Sequence, residues 1–176
     1  TSTLTATSDD LVEAMSIQAD RNIVVAGSSN AGAGFDFAVA RYLEPNVPPV
    51  VSGFIKAGLE DHAVAFGASD FTSHATDADG DPVARIKVTS LPARGTLKVN
   101  TVAVTVNQEI QAADLGTLTF TPELNQNGTA SFGWNASDGL AYAASGATVS
   151  IAIAPVNDPP SFTAGANQTV LKDSGP

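Results

Sequence analysis

The residues best suited to chemistry lie in the segment TDADGDPV, where Asp77, Asp79 and Asp81 alternate around Gly80. Alternate side chains of a curled segment point inward, so oxygen ligands at this spacing can converge on a hard cation. An EF-hand needs Gly at the sixth position of its loop and Glu at the twelfth, and those places hold Pro82 and Val88. The segment is therefore not an EF-hand. It is either another kind of calcium loop or an acidic turn with solvated carboxylates. Calcium takes roughly six to eight oxygens, so three carboxylates need ligands from other loops. Asp138 in NASDG, Asn157 and Asp158 in a proline-rich stretch, and Glu60 beside Asp61 are the candidates. Carboxylates gathered without a cation repel one another, which would give calcium the structural role of locking loops that otherwise splay.

Other chemistries find less support. His62 and His74 are the two histidines and there is no cysteine, so a zinc site would need both histidines plus carboxylates, and packed or surface histidines are the plainer reading. No G-x-S-x-G elbow or P-loop occurs, and GSSNAGAG from Gly27 has no helix after it to hold a phosphate. Trp134 shares a strand with Phe132 and reads as core, not as a sugar-stacking platform. The expectation is a protein that is not an enzyme. Eight Lys and Arg stand against eighteen Asp and Glu in 176 residues, a formal charge of -10 that would repel a nucleic-acid backbone. No apolar run approaches the roughly 18 residues of a membrane span.

The elements that must position these residues are strands. Thr and Val are abundant, helical periodicity is nearly absent, and even Asp10 to Gln18 reads as strand. Strands at Ile23 and Phe35 follow across a turn at 30–34, making a short meander. The proline-rich EPNVPP, residues 44–49, cannot join a ladder and marks a boundary. Beyond it, short runs begin at Val64, Ala84, Gly95, Val102, Gly116, Ala130 and Ala147, with turn chemistry at Asp79-Gly80, Arg94-Gly95, Asn127-Gly128 and Asp138-Gly139. Alternation is clean where Ile86 and Val88 oppose Arg85 and Lys87, and where Val149, Ile151 and Ile153 oppose Ser150 and Ala152. About seven strands without crossover helices predict an all-β, antiparallel Greek-key β-sandwich with Trp134, Phe132 and Phe120 in its core. A second boundary, PVNDPPSF from Pro155, echoes the first: NVPP at Asn46 and NDPP at Asn157 lie about 111 residues apart, a period that suggests a tandem array.

Taken in order, EDHAVAF, DADGDPV, LPARGTLKV, LTFTPELNQNGTASFGWNASDG and VNDPP resemble the bacterial cadherin-like repeats of giant surface and adhesion proteins, close to the tandem-95 and chondroitin-sulfate-proteoglycan types. The resemblance implies calcium bound between successive domains. It assigns Asp77 and Asp79 to the D-x-D loop, Asp138 to the A-x-D-G aspartate, Asn157 and Asp158 to the linker, and Glu60 to the acidic residue near the first strand. The linkers depart from that pattern: Pro155-Val156 precedes Asn157 where a full cadherin linker has an aspartate, and the upstream linker offers only Glu44 and Asn46, which implies a weaker site. SDDLVEAMSIQADRNIVVAGSSNAGAGFDFAVARYL is similar to one delta-60 repeat unit, with Arg21 where that family has Gly, and NQTVLKDSGP resembles the opening of a further sandwich, with Lys172 where an acidic residue is usual.

The expected organisation is thus a delta-60-like meander at 1–43, a linker at 44–49, the sandwich at 50–156, and the linker and start of the next repeat at 157–176. The expected function is a calcium-binding, adhesive or spacing module of an extracellular bacterial surface protein, its partners being neighbouring repeats and identical chains. Two other readings stay open: a fibre subunit that assembles by strand addition, and a carbohydrate-binding accessory domain of a secreted enzyme.

Overall fold

The computed structural model describes residues 11–18, 22–30, 35–43, 45–163 and 165–166. Arg21, the turn at 31–34, Glu44 and the 167–176 segment with Lys172 lie outside the described residues. Three strands come first: β1 (Leu11–Ile17), β2 (Ile23–Asn30) and β3 (Phe35–Tyr42). They form an antiparallel sheet in the order β1-β2-β3, with a bulge between Val12 and Ala14. All of β1 is exposed, including Met15 and Ile17, and so are Phe37 and Val39 on β3.

The remainder is a sandwich. Its strands are β4 (Val50–Val51), β5 (Phe54–Leu59), β6 (Val64–Ala65), β7 (Ala75–Thr76), β8 (Arg85–Ser90) and β9 (Thr96–Val99). They continue with β10 (Val102–Ala103), β11 (Glu109–Gln111), β12 (Thr119–Thr121), β13 (Gly128–Ser137) and β14 (Ala147–Ala154). One sheet runs β11-β8-β13-β14-β5, the facing sheet runs β10-β9-β12-β6, and β4 pairs with β7. The chain crosses repeatedly between the two sheets, so sequential strands are often not neighbours, the over-and-back path of a Greek key. Alternation decides the faces. Ile86, Val88, Val149, Ile151 and Ile153 are buried between the sheets while the residues that alternate with them face out.

Trp134, Phe132 and Phe120 are fully buried, as their strand positions require. The sequence did not announce α1 (Ala68–Thr72), whose first two residues are the last two of VAFGAS, the run read as a strand from Val64. Its carboxylate Asp70 Oδ2 accepts from Gly67 N at 2.8 Å, closing the first turn, and the helix drives Phe71 edge-on against Trp134 and Phe54. A 3-10 helix at Ala112–Thr117 seats Leu115 in the same core. The antiparallel expectation also needs one correction. β5 pairs with β14 in parallel, Phe54 opposite Val149 through Leu59 opposite Ala154. The parallel direction is possible because β5 and β14 are joined through most of the domain, not by a hairpin.

Candidate functional site: an acidic pole at one end of the sandwich

The acidic segment leaves β7 and curls on itself. Asp77 Oδ1 accepts from the backbone N of Asp79 at 2.8 Å and of Asp81 at 3.2 Å, and Gly80 N donates to Asp77 O at 3.3 Å. Gly80 supplies the left-handed backbone, at φ 82°, that closes the curl. The outcome is convergence: Asp77, Asp79 and Asp81 each place a carboxylate oxygen within 4.8 Å of the others.

Asp138 reaches the same place from the far end of β13. Its Oδ1 accepts from Leu140 N and Ala141 N, both at 2.7 Å, which aims Oδ2 away from its own turn. A cleft of about 200 Å³ is lined by Asp77, Asp81 and Asp138 together with Pro49, Thr76 and Pro82. Burial pushes the Asp138 carboxyl up, but hydrogen bonds from Ala141 N, Asn46 Nδ2 and Leu140 N outweigh it and hold the group below its ordinary range. The carboxylate is therefore ionised at neutral pH.

The linker before β4 completes the pole. Val47 N donates to Asp79 Oδ2 at 2.6 Å, and Asn46 Nδ2 donates to Asp138 Oδ2 at 2.9 Å. Two buried oxygens, Asn46 Oδ1 and Asp77 Oδ2, are left without a hydrogen-bond partner. A buried, unpartnered carboxylate oxygen is costly, and a cation is the species that satisfies it without a proton. The donor set holds oxygen alone, which suits a hard ion such as calcium and not zinc. Sequence reasoning named Asn46 as one of two residues the upstream linker offers but did not place it among the expected ligands. The signal was available in the NVPP and NDPP echo, since Asn46 occupies the place that Asn157 occupies one period later.

The other expected residues stand at the opposite end. Glu60, 3% exposed, accepts from Val156 N at 2.7 Å through Oε1 and from Asn127 Nδ2 at 3.1 Å through Oε2. Asn127 immediately precedes β13 and Asp138 immediately follows it, so ten strand residues at ~3.3 Å each separate the two ends by about 30 Å. Asn157 and Asp158 follow β14 at the Glu60 end, both exposed, with Asn157 Nδ2 donating to Asp158 O at 3.4 Å. The seven expected residues thus divide into Asp77, Asp79, Asp81 and Asp138 at one pole and Glu60, Asn157 and Asp158 at the other. The histidines are occupied elsewhere: His74 stacks on Phe54 at 4.7 Å with Nδ1 2.9 Å from Asp70 O, and His62 Nδ1 lies 2.9 Å from Glu60 O.

The fold and site together describe an all-β sandwich whose linker and loops meet in an oxygen-rich pole. The cadherin-like domain family matches residues 45–154, and the chain belongs to that family. No curated protein sequence matches the chain. Among solved structures it is similar, at 18% identity, to an endo-fucoidan hydrolase of glycoside hydrolase family 107 and to a variant of that enzyme, with TM-scores of 0.37 and 0.36. Each match covers 89% of this chain and 23% of the enzyme chain, so the chain spans less than a quarter of that protein's length.

Proposed function

We propose that this chain is a calcium-stabilised repeat module of a large extracellular bacterial surface protein, whose work is to space or attach and not to catalyse. Asn46, Asp77, Asp79, Asp81 and Asp138 hold the cation. The observation that carries the reading is the pair of buried, unpartnered oxygens on Asn46 and Asp77 within an acidic pole. Calcium bound there supplies positive charge that offsets the repulsion of the converging carboxylates. The chain's own residues do the rest: Val47 N and Asn46 Nδ2 tie the incoming linker to the D-x-D loop and the Asp138 loop, so a cation held by those loops also holds the linker.

The proposal extends to organisation. Residues 1–43 form a delta-60-like unit, 44–49 the linker, 50–156 the sandwich of the tandem-95 type, and 157–176 the linker and start of the next repeat. Glu60, Asn157 and Asp158 then prepare the pole that the next repeat completes. The test is calcium titration followed by calorimetry, with magnesium as control. A ligand that binds only the folded state raises stability by about 2.7 kcal/mol at a hundredfold excess over Kd. A calcium-specific rise in Tm that disappears in Asp79→Ala supports the site; an unchanged Tm in the wild-type chain removes it.

A further inference from the structure

The two main sheets of the sandwich have four edge strands among the described residues, and three are short: β11, β10 and β6 have three, two and two residues. Short edges are poor templates for another chain. β5 is different, with six residues paired to β14 on one side and no strand on the other among the described residues. Its backbone direction follows from one bond. Glu60 N donates to Ala154 O at 3.0 Å, so the even-numbered residues 54–60 turn their backbone groups toward β14. Ile55, Ala57 and Leu59 therefore turn theirs to the open edge.

The same three residues project their side chains outward. Ile55 is 76% exposed and Leu59 47%, and their cross-strand neighbours on β14 are Ser150 and Ala154, with Ala152 beside Ala57. None is charged. The one charge on β5, Lys56, points to the other face and is bound to Asp70 at 2.6 Å, so it does not guard the edge as a solvated lysine would.

We propose that β5 is a self-association edge, which a second copy of this chain joins by antiparallel β5–β5 pairing about Ala57. A two-fold axis there makes the contact self-complementary. Ile55 lies opposite Leu59 of the second copy, Ala57 opposite Ala57, and Lys56 opposite Gly58, so no like charges oppose one another. Pairing at Ile55, Ala57 and Leu59 uses the backbone groups that face the edge, for about six N–H···O bonds. A contact confined to one six-residue edge makes a weak, reversible interface, and tandem repeats would strengthen it by avidity. Calcium takes no part, which separates this proposal from the cation site.

Sedimentation equilibrium on the full chain over a concentration series tests it, with calcium and with chelator. A reversible monomer–dimer equilibrium is expected in both conditions. Ile55→Glu with Leu59→Glu places like charges in both outer pairs and should weaken dimerisation by about tenfold or more. Ile55→Lys with Leu59→Glu places opposite charges there and should restore it, with near-ultraviolet circular dichroism of Trp134 reporting the fold of both variants. A monomer at all concentrations, association untouched by the paired glutamates, or no recovery with opposite charges overturns the proposal.

Discussion

Asn46 binds the acidic pole with one end of its amide and leaves the other end unsatisfied, and this division makes it a sensitive probe. Asn46→Asp replaces the Nδ2 donor by a second carboxylate facing Asp138. Without calcium that pair repels, and we expect a loss of about 1 kcal/mol in chemical denaturation. With calcium the added oxygen is a better ligand, so affinity rises and the calcium-induced gain in Tm grows. A variant that weakens calcium binding in isothermal titration would show that Asn46 faces Asp138 alone. At the other pole, Glu60→Ala strands Val156 N and Asn127 Nδ2 without their acceptor. Loss of two bonds to a buried carboxylate should cost about 2–3 kcal/mol, in calcium and in chelator alike if the two ends are independent.

At the scale of elements, α1 depends on Asp70, whose carboxylate caps Gly67 N and pairs with Lys56. Burial pushes the Asp70 carboxyl up, but the Lys56 ammonium and the Gly67 N–H outweigh it, so the group titrates below its ordinary range. A folded-state pKa below the unfolded one stabilises at pH above the usual aspartate value and loses that contribution as pH falls through the lowered value. Stability should therefore decline from about pH 4 downward, and Asp70→Asn should flatten that part of the acid limb while costing about 1–2 kcal/mol at neutral pH. The Asp138 loop has its own brace. Tyr142 OH donates to Glu109 Oε1 at 2.5 Å, Arg85 Nε donates to Tyr142 OH at 3.3 Å, and Lys87 Nζ lies 3.9 Å from the Tyr142 ring centroid. Tyr142→Phe keeps the ring and removes the tie, so calcium affinity should fall a few-fold with little change in Tm. Elements also differ in how they show in the chain. β8 and β14 announced themselves by alternation, whereas β5 puts Lys56 and Gly58 on its inner face, where the Asp70 partner and the close approach of Val64 require them. α1, at five residues, is too short for a helical period to register.

For the whole molecule, a formal charge of -10 with an acidic pole means that electrostatics oppose the calcium-free fold. Monovalent salt should therefore raise the Tm of the chelated chain, and raise it less once calcium is bound; equal shifts in scanning calorimetry would show that the pole is not where the repulsion lies. Composition, strand alternation and the recurrent proline linkers were enough to determine the all-β class, the buried aromatic core and the acidic residues, because these depend on local periodicity and residue type. The tertiary structure alone decided which carboxylates meet. Asn46 contacts Asp138 across 92 positions, while Glu60 and Asp77, much closer in sequence, end at opposite poles because β13 spans the sandwich between them. Spacing along a chain sets how residues share a turn or a strand face; only the crossing of strands between two sheets sets which loops share an end.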